Sequence, residues 1–151
     1  KVENGEVVFY LNNILLSDKD LRCALTSKWS SILAQQKVIR KFIQPIIRNI
    51  ASTSPYCVAD GRDMASVVFP DAHWKFYLNA SVDVRAKRRL EQLKEQGIEQ
   101  NLADVQFQLQ ERDRRDMTRQ FDPLKKTDDS ILIDTTTLSE QESLEAIMSH
   151  L

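Results

Sequence analysis

The sequence predicts an α/β fold, a mainly parallel sheet flanked by helices. Short apolar runs, Tyr56-Cys57-Val58-Ala59, Trp74-Lys75-Phe76-Tyr77-Leu78 and Ile131-Leu132-Ile133, are separated by long stretches of helical periodicity. Capping residues stand at the expected helix starts, as with Ser81 and Ser139. The chain is 151 residues long, enough for one domain with a core of its own.

Taken in order, Val7-Val8-Phe9-Tyr10-Leu11 reads as a strand between two turn formers, Asn4-Gly5 and Asn12-Asn13. Ser17-Asp18 reads as a helix cap, and the period is helical from Leu21 to about Ile50, with Pro45 expected to break or kink the segment. Residues 51–55 form a small-residue and proline loop. Tyr56 to Ala59 is expected to be a strand closed by Asp60-Gly61, with Cys57 in a buried, small apolar role. After the strand at Trp74–Leu78, Ser81 caps a helix that runs to Gly97, with Asp83 in its first turn. Asn101 opens another helix through about Thr118, its apolar side made of Leu102, Val105 and Leu109. Ile131–Ile133 reads as a buried strand, and Ser139 with Glu142 as a capping box before the last helix, which ends near His150.

Composition excludes several classes. The 21 basic and 22 acidic side chains leave a net charge of −1, which argues against non-specific binding along a nucleic-acid backbone. No apolar run approaches the roughly 20 residues of a membrane span. Cys23 and Cys57 show no CxxC spacing, so a reduced, cytoplasmic setting fits better than a disulfide or zinc framework. His73 and His150 have no metal-ligand or nucleophile partner at a telling spacing and read as structural or surface residues.

Three constellations can carry chemistry. Asp60-Gly61-Arg62-Asp63 places a guanidinium fork and carboxylates beyond a strand, where ligands bind in such sheets. A local salt bridge between Arg62 and Asp60 or Asp63 is the plain alternative. In Glu111-Arg112-Asp113-Arg114-Arg115-Asp116-Met117-Thr118-Arg119, the residues Arg112, Asp116 and Arg119 stand at i, i+4 and i+7, on one helical face beside Arg115. A solvated charge ladder is the alternative there. The use of arginine without lysine favours two-pronged anion binding. Arg85, Arg88 and Arg89 form a basic patch opposite Val82, Ala86 and Leu93, either a solvated face or part of a lid closing over phosphates about Gly97. With only Gly5, Gly61 and Gly97 available, the 151 residues contain no GxxxxGK[ST] or GxGxxG loop to cradle a triphosphate.

From Tyr56 through Ala72 the sequence resembles the DGRD…VVFPDA stretch of bacterial-type cytidylate (CMP/dCMP) kinases. Leu78-Asn79-Ala80-Ser81 with Arg85–Arg89, Glu111–Asp116 with Arg119, and Leu132–Thr136 with Leu138-Ser139 keep the family's order and spacing. Asn4 to Arg22 is similar, more loosely, to its small antiparallel insert and following helix. The resemblance implies a P-loop nucleoside monophosphate kinase fold, incomplete at the N-terminus. Residues 1–55 would be the CMP-binding insert and 56–151 the core, with a lid at about 85–118.

The implied reaction moves the γ-phosphoryl of ATP to CMP or dCMP with Mg²⁺, in a monomer that binds neither nucleic acid nor membrane. The implied phosphate-contacting, catalytic set is Arg62, Arg112 and Arg119. Asp63 would read the cytosine amine, Asp116 the ribose hydroxyls, and Ser31 with Arg40 the base, Ser30 being a rival for the serine. Arg85, Arg88 and Arg89 would belong to the lid near ATP, and no residue is assigned to a metal. Ala65-Ser66 stands where the family usually has Gly-Thr, and Asn79 where it usually has Asp.

The family's N-terminal third, with its P-loop lysine, has no counterpart, and the chain starts at Lys1 within an apparent hairpin. The expectation is therefore a piece of a longer kinase, with little or no turnover alone. A non-catalytic remnant or interaction module that keeps the fold stands second, and a generic charged α/β domain third.

Overall fold

The computed structural model describes residues 2–3, 6–17, 20–21 and 24–151. Asn4-Gly5, Asp18 and Cys23 lie outside the described residues. The chain divides into two compact units, Lys1–Gly61 with Arg119–Phe121, and Arg62–Thr118 with Asp122–Leu151.

The first unit opens with two short antiparallel pairs, β1 (Val2–Glu3) with β2 (Glu6–Val7), and β3 (Tyr10–Leu11) with β4 (Ile14–Leu15). The single run expected over Val7–Leu11 is therefore shared between two hairpins. The second turns at Asn12-Asn13, whose φ angles of 50° and 67° are those of the tight turn that matches strand twist. Ser17 and Asp20 cap each other. The Ser17 amide donates to Asp20 Oδ2 at 2.9 Å, and the Asp20 amide donates to Ser17 Oγ at 3.3 Å.

Helices α1 (Ala24–Leu33) and α2 (Lys37–Ala51) follow. The break falls at 34–36 and not at Pro45, which sits inside α2. Gln35 and Gln36 close α1 with short-range bonds to Ile32 and Leu33, and Gln36 then turns extended with ψ at 117°. Pro45 removes one amide from the helix. Lys41, whose carbonyl loses its partner, is exposed, so water can serve it.

The expected strand at Tyr56–Ala59 does not form. This stretch has no ladder partner, Tyr56 and Val58 are exposed, and Cys57 is exposed where a buried role was expected. Apolarity creates a demand for burial, but a strand also requires a neighbour for its amides and carbonyls. Among the described residues none takes that place.

The second unit begins with a π-helical turn at Met64–Val68, in which the Asp63 carbonyl accepts from both Val67 and Val68. Its sheet is a parallel pair, β5 (Phe76–Asn79) and β6 (Ile131–Asp134), with Phe76 opposite Ile131 and Asn79 opposite Asp134. β6 is covered on one face only: Ile133 is buried and Leu132 exposed, so the expectation of a fully buried strand does not hold.

Helix α3 (Val82–Glu95) is capped by Ser81 Oγ. It ends where Gly97, at φ 73°, lets its own amide reach Lys94 O and the Ile98 amide reach Leu93 O. Helix α4 (Leu102–Thr118) starts at Asn101, whose side-chain oxygen accepts from the Asp104 amide at 2.8 Å. Ala86, Leu93 and Val105 form the core between α3 and α4, with Leu90, Leu102 and Leu109 packed around it. Helix α5 (Glu140–Met148) begins with the full Ser139–Glu142 capping box. No described helix is long and apolar enough to cross a membrane.

Candidate functional site

Within the second unit, two arginines from distant parts of the chain meet on one carboxylate. Arg62 stands just before the π-helical turn and donates its Nε to Asp116 Oδ2 at 3.0 Å, choosing this partner over Asp60 or Asp63. Arg112, one turn before Asp116 on α4, brings its own Nε to the same oxygen at 3.8 Å. The Asp116 side chain is 5% exposed. Among the described residues Arg62 and Arg112 make no other ion pair or hydrogen bond, so their terminal nitrogens remain available. Arg112 Nε is buried and lacks a hydrogen bond.

The charge balance of the cluster is positive. Burial pushes the Arg112 guanidinium below its ordinary value, and repulsion from Arg62 and, more weakly, Arg89 adds to the push. Asp116 and Asp113 oppose it. Asp113 is already engaged, accepting from Arg85 Nη1 at 2.6 Å. In this group the guanidiniums of Arg62, Arg85 and Arg112 pair with the two carboxylates of Asp113 and Asp116, and Arg89 adds a further positive charge near Arg112. An anion with two or more oxygens would relieve that excess through planar forks.

The charged run of α4 divides by face. Glu111 and Arg114 form an exposed pair at 2.9 Å, and Arg114 holds the Glu111 carboxyl below its usual range. That half is the solvated ladder, whereas Arg112, Asp113 and Asp116 turn inward. Arg119 follows the last residue of α4; it is buried and groups with the first unit. Asp63 is 5% exposed beside Arg62.

The three arginines of α3 have different surroundings. Arg88 forks onto the loop after β6, its Nη2 donating to Thr135 O at 2.7 Å and Leu138 O at 2.8 Å. Arg85 donates its Nε to Ala80 O at 2.9 Å as well as reaching Asp113. Arg89 has only a long contact, 3.4 Å, to Gln92 Oε1.

In the first unit Ser31 is 6% exposed, and its buried Oγ has no hydrogen-bond partner among the described residues. Ser30 is exposed and already engaged. Arg40 lies in the first turn of α2 and is half-buried. Sequence reasoning assigned no role to Asp113. The available signal was its register: it lies four residues beyond Leu109, on the buried stripe of α4, where a carboxylate needs a cation.

Among the described residues no three carboxylate, histidine or cysteine side chains gather in a way that could hold a metal ion.

A model of the cytidylate kinase family matches residues 1–151. The chain is similar to the cytidylate kinase of Coxiella burnetii, 41% identical over 140 residues that cover 92% of this chain and 57% of that protein. It is similar to that of Clostridium botulinum, 39% identical over 150 residues, 97% of this chain and 69% of the relative. A third, from Thermodesulfovibrio yellowstonii, is 38% identical over 152 residues, 98% of this chain and 68% of the relative. The chain thus spans between 57% and 69% of the length of these relatives. With a matching family model along its whole length, the chain belongs to the cytidylate kinase family.

Proposed function

We propose that these residues form the acceptor-binding and lid portion of a kinase that transfers the γ-phosphoryl of ATP to CMP or dCMP. The observation that carries this reading is the convergence of Arg62 and Arg112 on buried Asp116, with terminal guanidinium nitrogens to spare. In phosphoryl transfer the protein's work is positioning and charge neutralisation, and two forks on one phosphate do both.

Arg62 and Arg112 hold the acceptor phosphate, and Asp116 accepts from the ribose hydroxyls; a phosphate role for Arg119 rests on the family resemblance alone. Asp63, buried next to Arg62, accepts from the exocyclic amine of cytosine. For the base edge we choose Ser31 over Ser30, because a buried hydroxyl without a partner costs free energy until a ligand supplies one. Arg40 completes that edge from α2.

Helix α3 is the ATP-facing part of the lid. Of Arg85, Arg88 and Arg89, Arg89 is the one whose guanidinium is held, among the described residues, by no backbone carbonyl or carboxylate. Magnesium travels with the ATP phosphates and takes one or two carboxylates beside them, not a cage made wholly of protein ligands. The domain assignment that accompanies this reading is a CMP-binding insert at 1–55 and a core at 56–151. No GxxxxGK[ST] or GxGxxG loop stands among the 151 residues.

Calorimetric titration with CMP, UMP and AMP, followed in parallel by Trp29 and Trp74 fluorescence, tests the reading. Saturable binding with CMP preferred is expected. Asp63→Ala should narrow the CMP-over-UMP preference by about 1–3 kcal/mol, the cost of an unmatched buried polar group. Absence of saturable binding to any of the three nucleotides would remove the proposal.

A further inference from the structure

The ion pair between Arg85 and Asp113 has a placement that burial and helix electrostatics both oppose. Arg85 lies in the first turn of α3, where the helix dipole disfavours a cation. Asp113 lies on the stripe of α4 that carries Val105 and Leu109 into the core, where a lone carboxylate would be costly. Their side chains are 32% and 19% exposed, and they meet at 2.6 Å. Arg85 is in turn held by Ala80 O, on the residue that follows β5. A continuous series of contacts therefore runs from the sheet through Arg85 to Asp113, the residue following Arg112 and three before Asp116.

This series sets the rotation of the last turns of α4. The core contacts of Leu102, Val105 and Leu109 fix the helix further back, but no apolar residue of that cluster lies beyond Leu109. From there to Thr118 the helix carries the Arg85–Asp113 and Arg62–Asp116 pairs, three residues apart and so neighbours on one face. Rotation of this segment would carry Arg112 away from Arg62, and the two forks would no longer address one phosphate.

We infer that Arg85 and Asp113 are positioning residues for the acceptor phosphate, acting through Arg112, and that Arg85 does not itself contact ATP. The inference rests on the acceptor-site reading given under the proposed function. A role through Arg112 is specific to the phosphate group, which a merely structural role is not.

The experiment compares CMP with cytidine, which lacks the phosphate, by calorimetry on the unaltered protein and on Arg85→Ala, Asp113→Ala, Arg85→Lys and the double alanine variant. Each single alanine variant should weaken CMP binding by about tenfold or more, since small misplacements of a positioned group are costly. Cytidine affinity should be unchanged, and Arg85→Lys should recover part of the loss. The double variant should be no weaker than either single variant, because the two residues act as one unit.

Equal losses for CMP and cytidine would assign the pair a structural role and overturn the inference. So would additive losses, or weakened ATP binding with CMP affinity intact in Arg85→Ala. CMP affinity unaltered in every variant would overturn the inference alone. No CMP binding by the unaltered protein would remove the functional reading and this inference with it.

Discussion

Helix α2 and the α3–α4 pair carry the same kind of amphipathic pattern but reach different outcomes. Helix α2 separates its apolar and polar faces sharply, yet none of its residues is buried, and Val38 and Phe42 are 73% and 71% exposed. Helices α3 and α4 are richer in charge, and nevertheless Ala86, Leu93 and Val105 are almost fully withdrawn from water. Amphipathicity states that a face needs a partner; only another element supplies one. The α3–α4 pair finds its partner across a short connection closed by Gly97, so the whole instruction is local.

The largest effect should come from setting Leu93→Ala against Phe42→Ala. Removing the Leu93 side chain should cost about 2–5 kcal/mol, as a cavity in a packed core does. Phe42→Ala should change stability by less than about 0.5 kcal/mol, as for an exposed site. Urea unfolding measures both, and a Phe42 loss that matched Leu93 would mean that the face of α2 is covered in solution, ending the contrast.

Gly97→Ala probes the connection itself. No atom stands within 4 Å of an added Cβ, so the cost is conformational alone, about 1–2 kcal/mol for a left-handed L-residue. A thermal melt showing no loss would place the closure of the α3–α4 pair elsewhere.

The smallest effect concerns α5, where the Ser139 amide and hydroxyl hold the Glu142 carboxyl below its ordinary 4.5. A carboxyl depressed in the folded state contributes stability that is present above its unfolded value. That contribution disappears as pH falls through the lower folded value. Amide exchange in the first turn of α5 should therefore quicken on acidification through this range. Ser139→Ala, which removes the hydroxyl but keeps the amide donor, should cost about 1 kcal/mol at neutral pH and weaken that dependence without abolishing it.

The legible parts of the fold were those whose partner lies a few residues away. Ser81, Ser139, Gly97 and the Asn12-Asn13 turn each satisfy or redirect backbone within one turn, so their chemistry can be read from spacing. The failures concern partners that spacing does not specify. Among the described residues Tyr56–Ala59 has a strand's composition without a ladder neighbour, and Leu132 has no layer over it. Pro45 was expected to break or kink its helix; it does not break it, since exposure of the freed carbonyl's residue makes the proline tolerable.

The site divides in the same way. That Arg112 and Asp116 share a helical face was readable from the i, i+4 spacing. That Arg62 leaves its neighbours for Asp116, 54 residues away, was not. The inward half of the α4 charges could be told from the solvated half only once α3 was packed beside it.

By itself, then, the sequence determined the family, the helix boundaries marked by caps and the residue types able to grip a phosphate. Those are properties of composition and of contacts within a turn. Which guanidinium points at which carboxylate, and which arginine of α3 is tied down, was decided by tertiary structure. Such pairings depend on burial, and burial is conferred by elements far away in the chain.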